Sequence, residues 1–124
     1  MELVSCHQKY WDFIYTLRYR LRDGFINQGH FSEQDHVGFM EINHKNYMVC
    51  VDKDKPLGFV GSIDGDIRVA VSPSHQKSGV GKFMVENLLK KNPNVYAKVK
   101  IENKASLSLF TSCGFTKKYY ILEP

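Results

Sequence analysis

The chain has 124 residues, 43% hydrophobic and 13% aromatic, which suits one domain with a single core and excludes a multidomain protein. Its 17 Lys+Arg against 13 Asp+Glu leave a formal charge of +4, too mild for a dedicated nucleic-acid binder, and the basic residues are spread, with Lys90-Lys91 and Lys117-Lys118 only pairs. Three distant cysteines (Cys6, Cys50, Cys113) and five histidines (His7, His30, His36, His44, His75) without ligand spacing exclude a disulfide framework and a metal site.

The opening Met-Glu-Leu-Val lacks the basic and long apolar stretches of a secretion signal, and no apolar run approaches a membrane span. The expectation is a soluble, cytoplasmic protein with no membrane partner. Glu2 to Cys6 suits a short strand. From His7 to about Arg22, Tyr10, Trp11, Ile14, Leu17, Tyr19 and Leu21 give a helix with a broad apolar face, ended by Asp23-Gly24. A polar loop from Gly24 to Phe31 follows. Ser32-Glu33-Gln34-Asp35 starts a second helix, with Ser32 as N-cap and an acid three residues on, running to about Asn43.

Tyr47–Val51 and Leu57–Ile63 read as strands joined by the Asp52–Pro56 turn. Asp64-Gly65-Asp66 turns into a third strand, Ile67–Val71, which Ser72-Pro73 stops. The next helix, from about Gly79 to Lys91, carries Val80, Phe83, Met84, Asn87 and Leu88 along one stripe and ends before Asn92-Pro93. Val95–Ile101 is another strand, a short helix follows Asn103, and Thr116–Pro124 suits a last strand. The order β-α-α-β-β-β-α-β-α-β predicts an α+β fold, a central mixed, mostly antiparallel sheet flanked by helices.

Gln76-Lys77-Ser78-Gly79-Val80-Gly81 lies between a strand and a helix, and that position makes it an anion cradle. Glycines let consecutive backbone N–H groups turn toward one point, and the helix N-terminus adds partial positive charge there. A side chain at either glycine would obstruct a phosphate. A Walker loop is excluded because Phe83 follows Gly81-Lys82. A dinucleotide fingerprint is excluded because Met84 stands where a third small residue is needed.

The remaining pattern, Q-x-x-G-x-G, resembles the acyl-CoA pyrophosphate loop of the GNAT acetyltransferase superfamily. A second segment resembles the other signature of that family: Asn103, then Ala105-Ser106, the aromatic Phe110, and Gly114-Phe115. The two segments span roughly residues 66 to 117, the cofactor half of the fold, and imply one acetyltransferase domain over 1–124. The family usually closes with two strands after Gly-Phe. Here the sheet is shortened at the C-terminus, which leaves room for a homodimer partner to supply the last strand.

The resemblance implies acetyl-CoA as co-substrate, bound by Val69, Ala70 and Val71 along the pantetheine arm and by Gln76, Lys77, Ser78, Gly79, Val80, Gly81 and Lys82 around the pyrophosphate. Asn103, Ser106 and Phe110 would complete the cofactor side. It also implies that Val69-Ala70-Val71 splays from Val95–Ile101, leaving a backbone N–H aimed at the thioester carbonyl as an oxyanion donor. Asn103 is equally suited to capping the helix that follows it. Phe110 stands where many members place a tyrosine that protonates the departing thiolate, so Tyr119 and Tyr120 are the nearby phenols. Lys98 and Lys100 occupy the stretch where relatives carry a carboxylate. The candidate bases are therefore Asp66 and His36, with His75 only a neighbour of the anion.

The acceptor side corresponds to the first two helices and their loop, with Arg18, Arg22, Asn27, Gln28 and His30 as candidate contacts. Their segment resembles bacterial N-acetyltransferases acting on nucleotide-linked amino sugars. Acetyl transfer to such a sugar or another small primary amine, by direct attack in a ternary complex, is the leading reading. A non-catalytic acyl-CoA-binding or regulatory module is the other.

Overall fold

A computed structural model describes residues 1–20 and 32–124. The elements are β1 (Glu2–Ser5), α1 (Trp11–Tyr15), α2 (Glu33–Asn43), β2 (Tyr47–Asp52), β3 (Lys55–Ile63), β4 (Asp66–Val71), α3 (Val80–Lys91) and α4 (Lys104–Ser112). A 3₁₀ turn at Gln8–Tyr10 leads into α1, and a π-helical turn at Thr16–Arg20 follows it. The single helix expected from His7 to Arg22 is thus three short pieces as far as it is described. Capping chemistry sets the start of α2 as expected. Asp35 N–H donates to Ser32 Oγ at 3.0 Å, and Ser32 N–H donates back to Asp35 Oδ2 at 3.3 Å.

The four strands form an antiparallel meander in the order β1-β2-β3-β4. Alternation divides their side chains between two cores. Tyr47, Val49, Val51 and Phe59 pack with Ile14, Leu17 and Met40 on the α1/α2 face. Cys50, Val60 and Ile67 pack with Val80, Met84, Val85, Leu88 and Phe110 on the α3/α4 face.

Val95–Ile101 keeps the alternation of a strand without its ladder. Val95, Ala97 and Val99 lean on the α3/α4 core, but the only bridge among the described residues is a parallel one between Asp66 and Tyr96. Beyond Tyr96 the segment leaves β4. Among the described residues it has no strand partner on its far side either, because 116–124 adopts no regular structure, with Tyr119 90% and Tyr120 92% exposed. The last expected strand is therefore absent among the described residues, and the sheet ends at the bridge. An apolar pattern specifies which side faces the core; a strand also requires a neighbour to bond.

Candidate active site

The divergence of β4 from residues 97–101 opens a cleft of about 1010 Å³. Its floor follows from strand geometry. Ile67 N–H donates to Tyr96 O at 2.9 Å, so the backbone groups of Ile67 point away from β3. Direction alternates with period two, so Val69 and Val71 also present their N–H and C=O groups on that open edge. The Val71 carbonyl accepts a bond from Gln76 Nε2 at 3.3 Å. The Val69 N–H and C=O and the Val71 N–H face the cleft with no protein partner among the described residues.

The glycine loop closes the end of the cleft beyond Val71. Lys77 (φ 63°) and Gly79 (φ 86°) both adopt left-handed conformations, which turn the intervening amides to one side. Ser78 Oγ donates to His75 O and pins the turn. The first intrahelical bond of α3 runs from Phe83 N–H to Gly79 O at 3.0 Å, so the amides of Val80, Gly81 and Lys82 lie ahead of it at the helix's positive end. The two glycines have different duties. A Cβ on Gly79 would meet no protein atom within 4 Å, so with respect to the protein's own packing it is the backbone angle that demands glycine. A Cβ on Gly81 would stand 3.2 Å from Leu109 Cδ2, so Gly81 is bare to let α4 approach α3.

Most residues expected around the cofactor line this cleft: Val69, Ala70, Val71, Gln76, Lys77, Gly79, Gly81, Lys82, Asn103, Ser106 and Phe110. Ser78 and the buried Val80 do not. Asn103 caps α4 with Oδ1, which accepts from Ser106 N–H at 3.1 Å. Phe110 is 6% exposed and packs on Phe115 with ring centres 5.1 Å apart.

The catalytic candidates separate. Asp66 lines the cleft, and its carboxylate pairs with Arg68 at 3.4 Å. His36 lies outside it, buried between α1 and α2, with Nε2 2.8 Å from Trp11 O and its ring against Tyr15 and Tyr19. Burial lowers its pKa from the usual imidazole value, the bond to Trp11 O opposing that in part. Tyr119 and Tyr120 stand in solvent, away from the cleft lining. On the acceptor side Arg18 lines the cleft, whereas Arg22, Asn27, Gln28 and His30 lie outside the described residues.

Two charged cleft residues escaped the reading of the sequence. Arg68 was legible in principle, because Asp66-Ile67-Arg68-Val69 alternates polar and apolar and places both charges on one face. Glu102, immediately before Asn103, brings a carboxylate to the cleft rim two residues past Lys100. Among the cleft-lining residues, six basic side chains (Arg18, Arg68, Lys77, Lys82, Lys98, Lys100) face two acidic ones (Asp66, Glu102). An anionic ligand fits that balance. No described residues form a group of His, Cys, Asp and Glu able to hold a metal, and no described helix is long and apolar enough to cross a membrane.

Comparison with known proteins gives the same picture of the fold. The model of the acetyltransferase (GNAT) family matches residues 7–115. Among solved structures, the spermidine N-acetyltransferase from Vibrio cholerae, in complex with CoA and spermine, superposes with a TM-score of 0.83 at 20% identity, over 99% of this chain and 85% of that one. AAC(6')-Iy, in complex with a bisubstrate analogue built on CoA and acetylneamine, gives 0.76 at 15% identity, over 99% and 95%. A ribosomal-protein-alanine N-acetyltransferase from Brucella melitensis gives 0.75 at 13% identity, over 92% and 83%. No curated protein matches the chain in sequence.

Proposed function

The chain belongs to the acetyltransferase (GNAT) family, and from that premise we propose that it moves an acetyl group from acetyl-CoA to a primary amine of a small acceptor, amino sugars included, by direct attack in a ternary complex. The observation that carries this reading is the open edge of β4. The unpaired groups of Val69 and Val71 run toward the amides of Val80, Gly81 and Lys82, so one cleft offers a strand edge and a phosphate cradle in line. Pantetheine, with two amides, pairs with the strand edge as an added strand would. The pyrophosphate occupies the cradle, where Lys77 and Lys82 supply countercharge.

The thioester then lies toward the start of β4. The neutral amine attacks its carbonyl carbon, forming the C–N bond and an oxyanion. Collapse of that intermediate breaks the C–S bond. Val69 N–H is the preorganised donor placed to meet the oxyanion. Asp66, in the cleft, takes the ammonium proton directly or through water. The thiolate leaves with a proton from solvent, since Phe110 has none to give. In two of the three solved structures described above, CoA is bound together with spermine or joined to acetylneamine in a bisubstrate analogue, and a donor–amine pairing of that kind is what we propose for this cleft.

The test is thermal unfolding with acetyl-CoA, followed by release of free thiol on adding amines. Ligand at about 100 times its dissociation constant should stabilise the fold by roughly 2.7 kcal/mol. No rise in melting temperature contradicts the donor assignment. A rise without thiol release from any amine favours a non-catalytic acyl-CoA-binding module, the reading to which the buried Phe110 lends weight.

A further inference from the structure

Resting on the acetyltransferase reading, we propose that Lys98 is a self-acetylation site. In the absence of an amine acceptor, its side chain takes the acetyl group from acetyl-CoA bound in the same cleft. Strand register places Lys98 at the reacting bond. Ile67 N–H donates to Tyr96 O and Tyr96 N–H donates to Gly65 O, so Tyr96 stands opposite Asp66 in a parallel pair. Two residues further along each segment, Lys98 comes opposite Arg68. In a continued ladder Val69 N–H would donate to Lys98 O, just as Ile67 N–H does to Tyr96 O. The two segments part first, and no such bond is made among the described residues. A thioester oxygen that accepts from Val69 N–H therefore enters the opening between Val69 and Lys98.

Alternation decides where the side chain goes. Val95, Ala97 and Val99 lean on the α3/α4 core, so Lys98 and Lys100 turn to the other face. That face is the one on which α1 and α2 pack, the acceptor side. Lys98 lines the cleft, is exposed, and makes no ion pair among the described residues, which leaves its flexible four-carbon stem able to reorient. Lys100 lines the same cleft on the same face, but it lies two residues, about 7 Å, nearer the glycine loop. It therefore stands beside the pantetheine arm and not the thioester. Lys77 and Lys82 stand further still, at the phosphate cradle.

The step balances with acetyl-CoA alone. Neutral Lys98 Nζ attacks the thioester carbonyl carbon, forming the C–N bond as the carbonyl becomes an oxyanion. Collapse breaks the C–S bond. The nitrogen's proton passes to Asp66 or water, and the thiolate takes one from solvent. The products are Nε-acetyl-Lys98 and CoA. Amine and thioester held in one cleft react as a single molecule, with the rate advantage of proximity. Acetylation replaces an ammonium by a neutral amide, which takes one of the six basic side chains out of the cleft's charge balance.

Peptide mass spectrometry of the protein incubated with acetyl-CoA and no amine tests this. Lys98 should gain an acetyl group at least about tenfold faster than Lys100, Lys77 or Lys82. The rate per molecule should not depend on protein concentration, because donor and lysine share one cleft. Excess CoA, which fills the same cleft without an acetyl group, should suppress the modification. Acetyl phosphate has no pantetheine to pair with β4; it reports bare chemical reactivity and should show no preference for Lys98. Lys98→Arg should keep the rise in melting temperature produced by acetyl-CoA and lose the fast modification, with no transfer of it to Lys100.

Acetyl groups spread evenly over the lysines, or found on none, overturn the inference. So does a rate per molecule that rises with protein concentration, or an equal preference for Lys98 with acetyl phosphate. In each of these cases, a melting temperature still raised by acetyl-CoA, with thiol released on adding an amine, leaves the acetyltransferase reading standing. Absence of both the modification and the melting shift overturns the two together.

Discussion

Phe110, expected by resemblance to stand where a phenol would serve the leaving group, belongs to the core: it is almost wholly buried and its ring packs at a tilt on Phe115. Phe110→Ala should therefore cost stability, about 3–5 kcal/mol, measurable by denaturant unfolding. Tyr119→Phe and Tyr120→Phe should each change turnover less than about tenfold, because a positioned general acid is worth about 10²–10⁴-fold and neither phenol lines the cleft. A hundredfold loss in either variant would mean that the tail folds over the thioester in the working complex. His36 belongs to stability in the same way. Its Nε2 carries the proton donated to Trp11 O, and its Nδ1 has no partner among the described residues. With the folded pKa lowered, the unfolded chain takes up the proton first. Stability is then full above about pH 6.5, the usual histidine value, and falls as pH drops through the folded pKa. His36→Phe should flatten that acid slope of melting temperature, and an identical slope in the variant would contradict the assignment.

At the scale of elements, the glycine loop is the most exacting piece. Gly79→Ala puts a Cβ at φ 86°, at a cost of roughly 1–2 kcal/mol. It should also weaken acetyl-CoA binding by rotating the amides next to it. Gly81→Ala should be nearly neutral in stability, since a few tenths of an ångström of movement by Leu109 are offset by up to about 1 kcal/mol of helix propensity. Calorimetric unfolding and acetyl-CoA titration of both variants separate conformational need from packing need. Equal losses in the two would refute the distinction. Both glycines were visible in the sequence; their different reasons were not, because Leu109 comes from another helix. The same contrast explains what else was legible. Ser32 and Asp35 interact across three residues, so the start of α2 could be read locally. Val95–Ile101 shows a strand's alternation, but whether it bonds β4 depends on the course of two distant segments. His36 looks like a surface or catalytic histidine in the sequence, because its bond to the Trp11 carbonyl reaches back 25 residues along the chain.

For the whole molecule, the account depends on a sheet that stops pairing at Tyr96 and so leaves half of β4 open. The order of strands and helices was readable from turns and periodicity, and the cofactor end of the cleft from two short motifs. The cationic far end was not, because Arg68 announces itself only through the face it shares with Asp66, and Arg18 only through its burial beside Phe39. Residue-resolved amide exchange, with and without acetyl-CoA, tests this account most directly. Arg68 and Ala70 bond β3 and should be protected in both states, whereas Val69, Val71, Gly81 and Lys82 should exchange quickly in the free protein and slow markedly when acetyl-CoA is added. Unchanged exchange at Val69 and Val71 in saturated protein, or slowing confined to a different face of the sheet, would show that the open edge of β4 is not where the donor lies.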